Sequence, residues 1–407
     1  MVLMENMLKN NQKYDVVVIG AGAAGMMCAA VAGQRGKSVL IVDHAIKLAE
    51  KIRISGGGRC NFTNLHAGPN NFLSENSHFC KSALSRYSPQ DFLTLVKRYK
   101  IAFHEKHKGQ LFCDDSAEDI IRMLKAECDL GKVNWRMPCK VTGVQNNEAE
   151  FVIITEHDEI HAHSLVIATG GLSIPKIGAT DFSYKVAQYF NLKIVEPRPG
   201  LVPLTFEAAS WEPFVPLAGI SLEVDIETGE KKNKIVFRED LLFTHRGLSG
   251  PAVLQISSFW NAGQVIRLNL LPEIDVALDL IEAKTTSKKN LANYLSAYLP
   301  GRLVDGLLLA HGFAGELRIA DMQDKRLKLL GDKINRWELK PSGSEGYRKA
   351  EVTCGGVDTR ELSQQSMMAT KVPGLYFIGE AVDVTGWLGG FNFQWAWASG
   401  FVAGHAV

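Results

Sequence analysis

Hydrophobic residues follow two different periods along the 407-residue chain, and each period predicts a kind of element. Residues 15–19, DVVVI, are a short continuous apolar run, which predicts a buried parallel strand. A helix is predicted over 23–35 and a second strand over 38–43. Together these segments predict a βαβ unit at the start of the chain.

Two amphipathic helices are predicted further along. One spans 88–99 and opens with Ser-Pro, and the other spans 116–129, with Asp114 and Asp115 placed to cap its first turn. Residues 139–168 alternate like the strands of a meander and run into a glycine turn.

The pattern then changes twice. A proline-rich stretch beginning at Pro197 marks a boundary, after which residues 201–272 are strand-like. Residues 275–336 switch to the helical period. A strand over 375–380 and a helix from Gln394 complete the chain. The middle of the chain is therefore predicted to be an insertion.

Composition narrows the class of protein. Hydrophobic residues make up 46% and charged residues 22%, with a net charge of +1, so a soluble globular chain without a nucleic-acid partner is expected. Seven irregularly spaced cysteines without a CxxC pair predict no disulfide framework and favour a cytoplasmic location. Residues 16–33 resemble a membrane span, but their glycines indicate a strand, a turn and a helix.

A G-x-G-x-x-G motif, GAGAAG, occupies residues 20–25 between the first strand and the first helix. Gly20 permits the tight turn, Gly22 lets the backbone approach a pyrophosphate, and Gly25 lets helix and sheet pack closely. Asp43, at the end of the next strand, can accept hydrogen bonds from a ribose hydroxyl. This combination predicts a dinucleotide site.

The other end of the chain favours FAD as that dinucleotide. A strand ends at Gly379-Glu380, a double glycine follows at Gly389-Gly390, and a helix comes next. An acid at a strand end can bind a ribityl hydroxyl, and a helix N-terminus stabilises a reduced flavin anion. A third glycine turn, ATGG at 168–171, indicates one cofactor held by both chain ends.

These motifs resemble the BaiN/YhiN family of flavoproteins with two dinucleotide-binding segments, a family that includes aminoacetone oxidase. The segments that carry the resemblance are GAGAAG (20–25), SGGGRCNFTN (55–64), GQLF (109–112), IATGG (167–171), LLFTHRGLSGPAVLQIS (241–257), TCGGV (353–357) and IGEAVDVTGWLGGFNFQWAWASG (378–400). The chain departs from the family at Ala49-Glu50, where a glycine often precedes the basic residue.

The resemblance implies an α/β fold in which a Rossmann-like FAD-binding domain, formed by both chain ends, carries an inserted β-barrel domain with a helical subdomain. The expected segments are 1–195 and 353–407 for the FAD-binding domain, 196–274 and 337–352 for the β-barrel, and 275–336 for the helical subdomain.

The predicted cofactor contacts come from the glycine turns and the segments beside them. They are Gly20, Gly22, Ala23, Ala24, Gly25, Asp43, Lys51, Ser55, Gly56, Gly57, Gly58, Arg59, Cys60, Asn61, Thr169, Gly170, Gly379, Glu380, Gly389, Gly390, Phe391 and Asn392. No metal site is predicted, because His104 and His107 lack a further ligand pattern.

Three residues are candidates for the chemistry. Cys60 is either a redox thiol or a small residue packed beside the flavin, and no resolving cysteine is near it in sequence. His245 can exchange a proton near neutral pH, and Arg246 follows it; a structural histidine in a turn is the alternative.

The resulting hypothesis is an FAD-dependent oxidoreductase that exchanges hydride with a small or medium organic substrate. No second G-x-G-x-x-G occurs on a βαβ unit, so NAD(P)H would be only a transient donor at the flavin. Two alternatives stay open. One is an oxidase of an amine or aminoketone, and the other is a flavin-stabilised RNA- or protein-binding module, with Lys231, Lys232, Lys234 and Arg238 as a local basic patch.

Overall fold

The computed structural model describes residues 12–147 and 150–407, in which strands and helices alternate. The strands are β1 (Gln12–Ile19), β2 (Val39–Val42), β3 (Asn61–Asn64), β4 (Phe72–Leu73), β5 (Phe103–Glu105), β6 (Gln110–Cys113), β7 (Asn134–Arg136), β8 (Val141–Asn146), β9 (Phe151–Thr155), β10 (Glu159–Ile167), β11 (Ile194–Gly200), β12 (Leu204–Thr205), β13 (Ser221–Thr228), β14 (Ile235–Thr244), β15 (Gly247–Ser249), β16 (Ile266–Asn269), β17 (Trp337–Leu339), β18 (Gly343–Ser344), β19 (Val352–Val357), β20 (Leu375–Phe377) and β21 (Thr385–Gly386).

The helices are α1 (Ala23–Gln34), α2 (Glu50–Ile54), α3 (Cys80–Arg86), α4 (Pro89–Arg98), α5 (Glu118–Leu130), α6 (Phe182–Tyr189), α7 (Ala208–Trp211), α8 (Pro251–Ser257), α9 (Val276–Thr286), α10 (Leu291–Leu295), α11 (Gly301–Ala310), α12 (Asp324–Asn335) and α13 (Phe391–Ala406).

The chain divides into two units. The first consists of the described residues up to Arg198 together with Val352–Val407, and the second is Pro199–Glu351. The chain thus leaves the first unit after Arg198 and returns to it at Val352. The domain boundaries expected at 195/196 and 352/353 stay a prediction. That expected first domain begins at residue 1, and residues 1–11 lie outside the described part of the chain.

A mixed sheet forms the centre of the first unit. Its strands run in the order β7-β2-β1-β10-β9-β8, and β20 also pairs with β10. The pairs β2–β7, β1–β2, β1–β10 and β10–β20 are parallel, as the continuous apolar runs of β1 and β2 predict. The predicted α/β fold with a Rossmann-like parallel sheet is thereby confirmed.

The two ends of the chain meet at the contact between α1 and α13. A Cβ atom at Gly400 would lie 2.5 Å from the carbonyl oxygen of Ala24, so glycine is required for the helices to approach. The buried indoles of α13 also bind the backbone. Trp395 donates to the carbonyl of Gly379 at 2.9 Å, and Trp397 donates to that of Phe62 at 2.8 Å.

The second unit contains a seven-stranded antiparallel sheet in the order β17-β16-β13-β14-β15-β12-β18. Among its described residues, β17 and β18 are not paired with each other, so this ladder is open. The β-barrel that the resemblance implied for this part of the chain stays a prediction. The helices α9 to α12 all lie between β16 and β17, in the region predicted to be helical.

Some local predictions were wrong at the ends of elements. The helix α5 begins at Glu118 with Ala117 in the capping position, and neither Asp114 nor Asp115 caps it. Asp114 instead approaches the imidazole of His104, at 2.6 Å. The helix α4 opens with Ser-Pro as predicted, and the Ser88 hydroxyl caps it by accepting from the Asp91 amide at 3.3 Å.

All seven cysteines are buried and none forms a disulfide. Among the described residues, no helix is both long and apolar enough to span a membrane. The apolar stretch at 16–33 is divided between β1, the glycine turn and α1, as its glycines predict.

Candidate functional site

Four parallel strands end at one edge of the central sheet. The strands β1, β2, β10 and β20 are in register, so the residues that follow them lie along the same edge. Those residues are the turn that begins at Gly20, then Asp43, the pair Thr169-Gly170 and the pair Gly379-Glu380. The structure thus brings together predicted site residues that are up to 360 positions apart in the chain.

The glycines of the first turn have different surroundings. Gly20 has a φ of +114°, and a Cβ atom there would lie 2.4 Å from the carbonyl oxygen of Ala168. A Cβ atom at Gly25 would lie 2.0 Å from the carbonyl oxygen of Gly20. At Gly22, by contrast, no protein atom lies within 4 Å of that position. Gly22 therefore leaves open space beside the turn, whereas its neighbours are needed for close packing.

The N-terminus of α1 is suited to an anion. Gly22 is its N-cap and carries no side chain, and the first turn contains no acidic residue. The amide groups and dipole at this end of the helix are therefore available to a pyrophosphate.

Asp43 supports the turn directly. Its Oδ2 atom accepts a hydrogen bond from the Ala21 amide at 2.7 Å, and its Oδ1 atom accepts one from the Ala45 amide at 2.8 Å. A carboxylate oxygen has a second lone pair, so a ribose hydroxyl can still bind. The expected ribose contact stays a prediction, and the observed role of the carboxylate is to hold the backbone.

The glycine run 56–58 forms a tight turn after α2. Gly56, Gly57 and Gly58 have φ values of 57°, 67° and 89°. A Cβ atom at Gly56 would lie 2.9 Å from the Phe112 ring, whereas no atom lies within 4 Å of that position at Gly57 or Gly58. Two of the three glycines therefore leave room for a ligand, and the first packs against the protein.

Ala49, where the chain departs from the family pattern, adopts a left-handed conformation, with a φ of 53°. Glycine is the residue that most readily takes this conformation. The chain thus keeps the backbone geometry of a glycine at this position while carrying alanine.

Cys60 is not placed as a redox thiol should be. The residue is 0% exposed, and burial raises the pKa of its thiol well above its usual range. Its backbone amide donates to the Ser55 carbonyl at 3.1 Å, which closes the glycine turn. Burial and a protonated thiol favour the alternative in which Cys60 is a packing residue.

Asn61 connects two glycine segments. In the orientation of its amide that satisfies its neighbours, Asn61 donates to the carbonyls of Thr63 and Leu111 and accepts from the Gly390 amide at 3.1 Å. Arg59, two residues earlier, is exposed. A hydrogen bond from the Asn61 side chain to the cofactor would compete with these contacts, because its amide donors are already used.

The double glycine before α13 lets this part of the backbone pack closely against β3. Gly389 and Gly390 have φ values of 111° and 94°, and a Cβ atom at Gly390 would lie 2.4 Å from the carbonyl of Thr63. Asn392 accepts from the Gly386 amide at 2.8 Å and donates to the Gly386 carbonyl at 2.9 Å. The helix then begins at Phe391, without a side-chain cap on its first turn.

Glu380 is held by three groups from distant parts of the chain. Its Oε1 atom accepts from the Thr353 amide at 2.8 Å and from the Ser173 hydroxyl at 3.0 Å, and Lys51 forms an ion pair with its Oε2 atom. Lys51 also donates to the Ser173 hydroxyl at 2.7 Å. Ser173 and Thr353 were not predicted as site residues, although Thr353 lies in the TCGGV segment.

Thr169 has a hydroxyl without a partner. Its Oγ1 atom is buried and makes no hydrogen bond within the described part of the chain. The next residue, Gly170, has a φ of +74°, and no atom lies within 4 Å of its Cβ position. An orphaned buried hydroxyl costs about 1–3 kcal/mol, which a bound ligand would offset. With the open positions at Gly22, Gly57 and Gly58, this hydroxyl shows that the site fits FAD.

His245 and Arg246 lie in the second unit, in the turn between β14 and β15. Both side chains are exposed, and Arg246 forms an ion pair with Glu345 at 3.2 Å. They contribute to a groove of about 560 Å³ whose wall includes Phe206 stacked on Trp211, with ring centroids 4.5 Å apart. The expected role of His245 in proton exchange stays a prediction.

The proposed basic patch at 231–238 is largely neutralised. Arg238 pairs with Asp225 and Glu273, and Lys234 pairs with Glu227 at 2.6 Å. The side chain of Lys232 lies outside the described part of the chain. This segment is therefore a poor candidate for binding a polyanion.

Comparison with known proteins gives a consistent match over nearly the whole chain. The HI0933-like protein Rossmann domain family matches residues 14–406. A ribosomal RNA dihydrouridine synthase from Escherichia coli K12 is 50% identical over 389 residues, which cover 95% of this chain and 96% of that protein. A ribosomal RNA dihydrouridine synthase from Haemophilus influenzae is 46% identical, over 98% of this chain and 99% of that protein. A 3-dehydro-bile acid delta(4,6)-reductase from Clostridium scindens is 28% identical over 96% and 98% of the two chains.

Proposed function

The chain belongs to the HI0933-like family of BaiN/YhiN-like flavoproteins, which are FAD-dependent oxidoreductases, and we propose that it reduces uridine to dihydrouridine in ribosomal RNA. The observation that carries this proposal is the identity of 50% and 46%, over nearly the full length, to two proteins that bear this activity in their names.

The bond to be reduced is the same in kind for all three relatives. Dihydrouridine is uridine whose C5=C6 double bond has been reduced, and a delta(4,6)-reductase also removes carbon–carbon double bonds. The substrates differ, but the chemistry is hydride addition to one carbon and proton addition to the other. This shared chemistry supports a reductase over an amine oxidase.

When bound, FAD in its reduced form would supply the hydride for such a reduction, and NADH or NADPH is the proposed donor that would return the oxidised flavin to its reduced form. The chain's own residues bind and orient the cofactor. In this proposal, the first turn of α1 binds the pyrophosphate next to Gly22. The open positions at Gly57 and Gly58 leave room along the cofactor, and the buried Thr169 hydroxyl gains a hydrogen-bond partner.

RNA as substrate departs from the expectation that no nucleic acid is bound. That expectation was based on a net charge of +1, which is an average over the whole chain. A local surface can attract a polyanion while the total charge stays near zero. The expectation is therefore a weak objection to the proposal.

The direct test incubates the purified FAD-loaded protein with unmodified ribosomal RNA under anaerobic conditions, with NADH or with NADPH. Mass spectrometry of nucleosides should detect dihydrouridine only when protein, FAD and donor are all present. Absence of dihydrouridine with both donors would overturn the proposal. Peroxide formed from an amine in air would support the oxidase instead, and a flavin that no donor bleaches would support the binding module.

His245 is the proposed proton donor to uridine C5, because it is an exposed histidine in the groove of the second unit. His245→Ala should slow uridine reduction by about 10²- to 10⁴-fold and leave the FAD content unchanged. The control is His78→Ala, which removes an exposed imidazole from the first unit. Equal rates for the two variants would remove His245 from the reaction.

A further inference from the structure

On the premise of the proposed function, we propose that the outward face of α12 binds the phosphate backbone of the RNA substrate. This surface, the α12 cationic face, consists of Lys325, Lys328 and Lys333 of α12 together with Arg336, the residue that follows the helix. All four side chains are exposed.

Packing of α12 sets the direction of this face. Leu327, Leu330 and Ile334 are buried, and a Cβ atom at Gly331 would lie 2.5 Å from the backbone nitrogen of Ala277. The helix therefore lies directly against α9 with one side. At 100° per residue, the three lysines within the helix fall within an arc of about 140° on the other side, and Arg336 follows the end of the helix.

The cations of this face are not held in close ion pairs within the described part of the chain. Within the described residues, none of the four cations has a carboxylate within 4.0 Å, although Asp332 lies on the same arc. Asp324, at the start of the helix, is occupied by Lys284 at 2.6 Å. This arrangement contrasts with the 231–238 segment, where Asp225, Glu227 and Glu273 pair with the cations.

Two further lysines extend the face. The contact between Lys284 and Asp324 places the C-terminal end of α9 beside the N-terminal end of α12. Lys288 and Lys289 lie in the loop after α9, following its C-cap Ser287, and both are exposed. The cations therefore continue from the helix onto the adjoining loop.

The composition of the face fits a polyanion better than a protein. Protein interfaces are enriched in aromatic residues and depleted in lysine, whereas this face has three lysines and no aromatic residue. Its apolar residue is Leu329, which is 50% exposed. Lysine and arginine neutralise RNA phosphates and release their counterions, which makes binding dependent on salt.

The test replaces three cations at once, in Lys325→Gln/Lys328→Gln/Lys333→Gln. The matched control is Lys140→Gln/Lys185→Gln/Lys234→Gln, which removes the same charge from lysines that are paired with Glu156, Asp181 and Glu227. The dissociation constant for transcribed ribosomal RNA is measured for both FAD-loaded proteins over a range of salt concentrations.

The α12 variant should bind RNA more weakly, and the slope of log affinity against log salt should fall by about 2 to 3 relative to the wild type. The control should keep the wild-type slope. Both variants should keep the thermal midpoint and the rate of flavin reduction by the nicotinamide donor. Dihydrouridine formation by the α12 variant should recover at saturating RNA, because the face acts in binding and not in chemistry.

The outcomes separate this inference from the proposed function. If the wild type makes dihydrouridine and both triple variants bind RNA alike, the inference that the α12 cationic face binds RNA is wrong and the proposed function is supported. If the wild type makes none but the α12 variant alone loses salt-dependent binding, the surface stands and the function is wrong. Loss of binding to ribosomal particles but not to naked RNA would assign the face to a protein partner and overturn the inference.

Discussion

Gly22 and Gly25 lie three residues apart at the start of α1 and have opposite requirements. A side chain at Gly22 would meet open space, and one at Gly25 would meet the backbone at 2.0 Å. The first glycine is therefore free for a ligand, and the second is required by the fold. The same division separates Gly57 and Gly58 from Gly56 in the second glycine run.

Gly22→Val should abolish FAD retention while the protein still folds, because the added side chain occupies space that the pyrophosphate needs and touches no protein atom. The measurements are flavin absorbance and the thermal midpoint of the FAD-free protein. Gly25→Ala serves as the contrast, and it should lose folding and flavin together. Normal flavin content in the Gly22 variant would refute this location for the pyrophosphate.

Cys60→Ala should leave the rate of flavin reduction within about twofold of the wild type, because a thiol that burial keeps protonated cannot act as a nucleophile. The rate should also show no thiol titration between pH 7 and 9. Cys113→Ala, which removes another buried thiol, is the control. If the rate of flavin reduction fell by 100-fold or more in Cys60→Ala but not in Cys113→Ala, a redox role for Cys60 would be supported instead.

At the scale of elements, the helices that join the two chain ends depend on small residues. Gly400 and Gly404 of α13 face α1, and Cβ atoms there would lie 2.5 Å and 2.7 Å from the carbonyl oxygens of Ala24 and Cys28. Both helices are buried almost all around, so their sequences lack the amphipathic pattern of α4 and α5. The approach of the two backbones, more than a periodic apolar stripe, holds this part of the fold.

Gly400→Ala should lower the free energy of unfolding by about 1–3 kcal/mol, because the methyl group forces the backbones of α1 and α13 apart. Chemical denaturation monitored by circular dichroism measures the change. Gly301→Ala in α11 is the control, because its nearest neighbour would be 3.8 Å away and alanine favours a helix. Equal stability of the two variants would mean that α1 and α13 are less closely packed than the 2.5 Å distance at Gly400 indicates.

At the scale of the whole molecule, the second unit is a continuous segment with its own core. Val224, Ile226 and Leu268 are 0% exposed on adjoining strands of its sheet. In the first unit, Gly355 of β19 approaches Glu196 of β11, so the points where the chain leaves and re-enters this unit are neighbours. The insertion thus interrupts the first unit at a single place.

The fragment 199–351 should fold alone as a colourless domain, and a chain that joins residue 198 to 352 through a short glycine linker should still retain FAD. Circular dichroism and flavin absorbance test the two halves of the prediction. A fragment that melts without cooperativity, or a joined chain without flavin, would show that each unit needs the other to fold.

Much of the fold was predictable because its determinants are local. The βαβ unit, the glycine turn and the limits of the insertion follow from apolar runs, glycine spacing and a change of period within short windows. The details of the site were not predictable, because Glu380 is bound by Lys51 and Ser173, and Asn61 by Gly390, from hundreds of positions away. Sequence spacing carries no information about such partners.

The sequence by itself determined the nucleotide-binding fold, because a tight turn, a close approach of the backbone and a helix N-terminus each require particular residues in a fixed local order. Only the tertiary structure decided which residues remain available for a ligand. It buried Cys60, used the amide of Asn61 inside the protein and left the Thr169 hydroxyl without a partner. It also decided which cations stay unpaired, because ion pairing depends on where distant carboxylates lie.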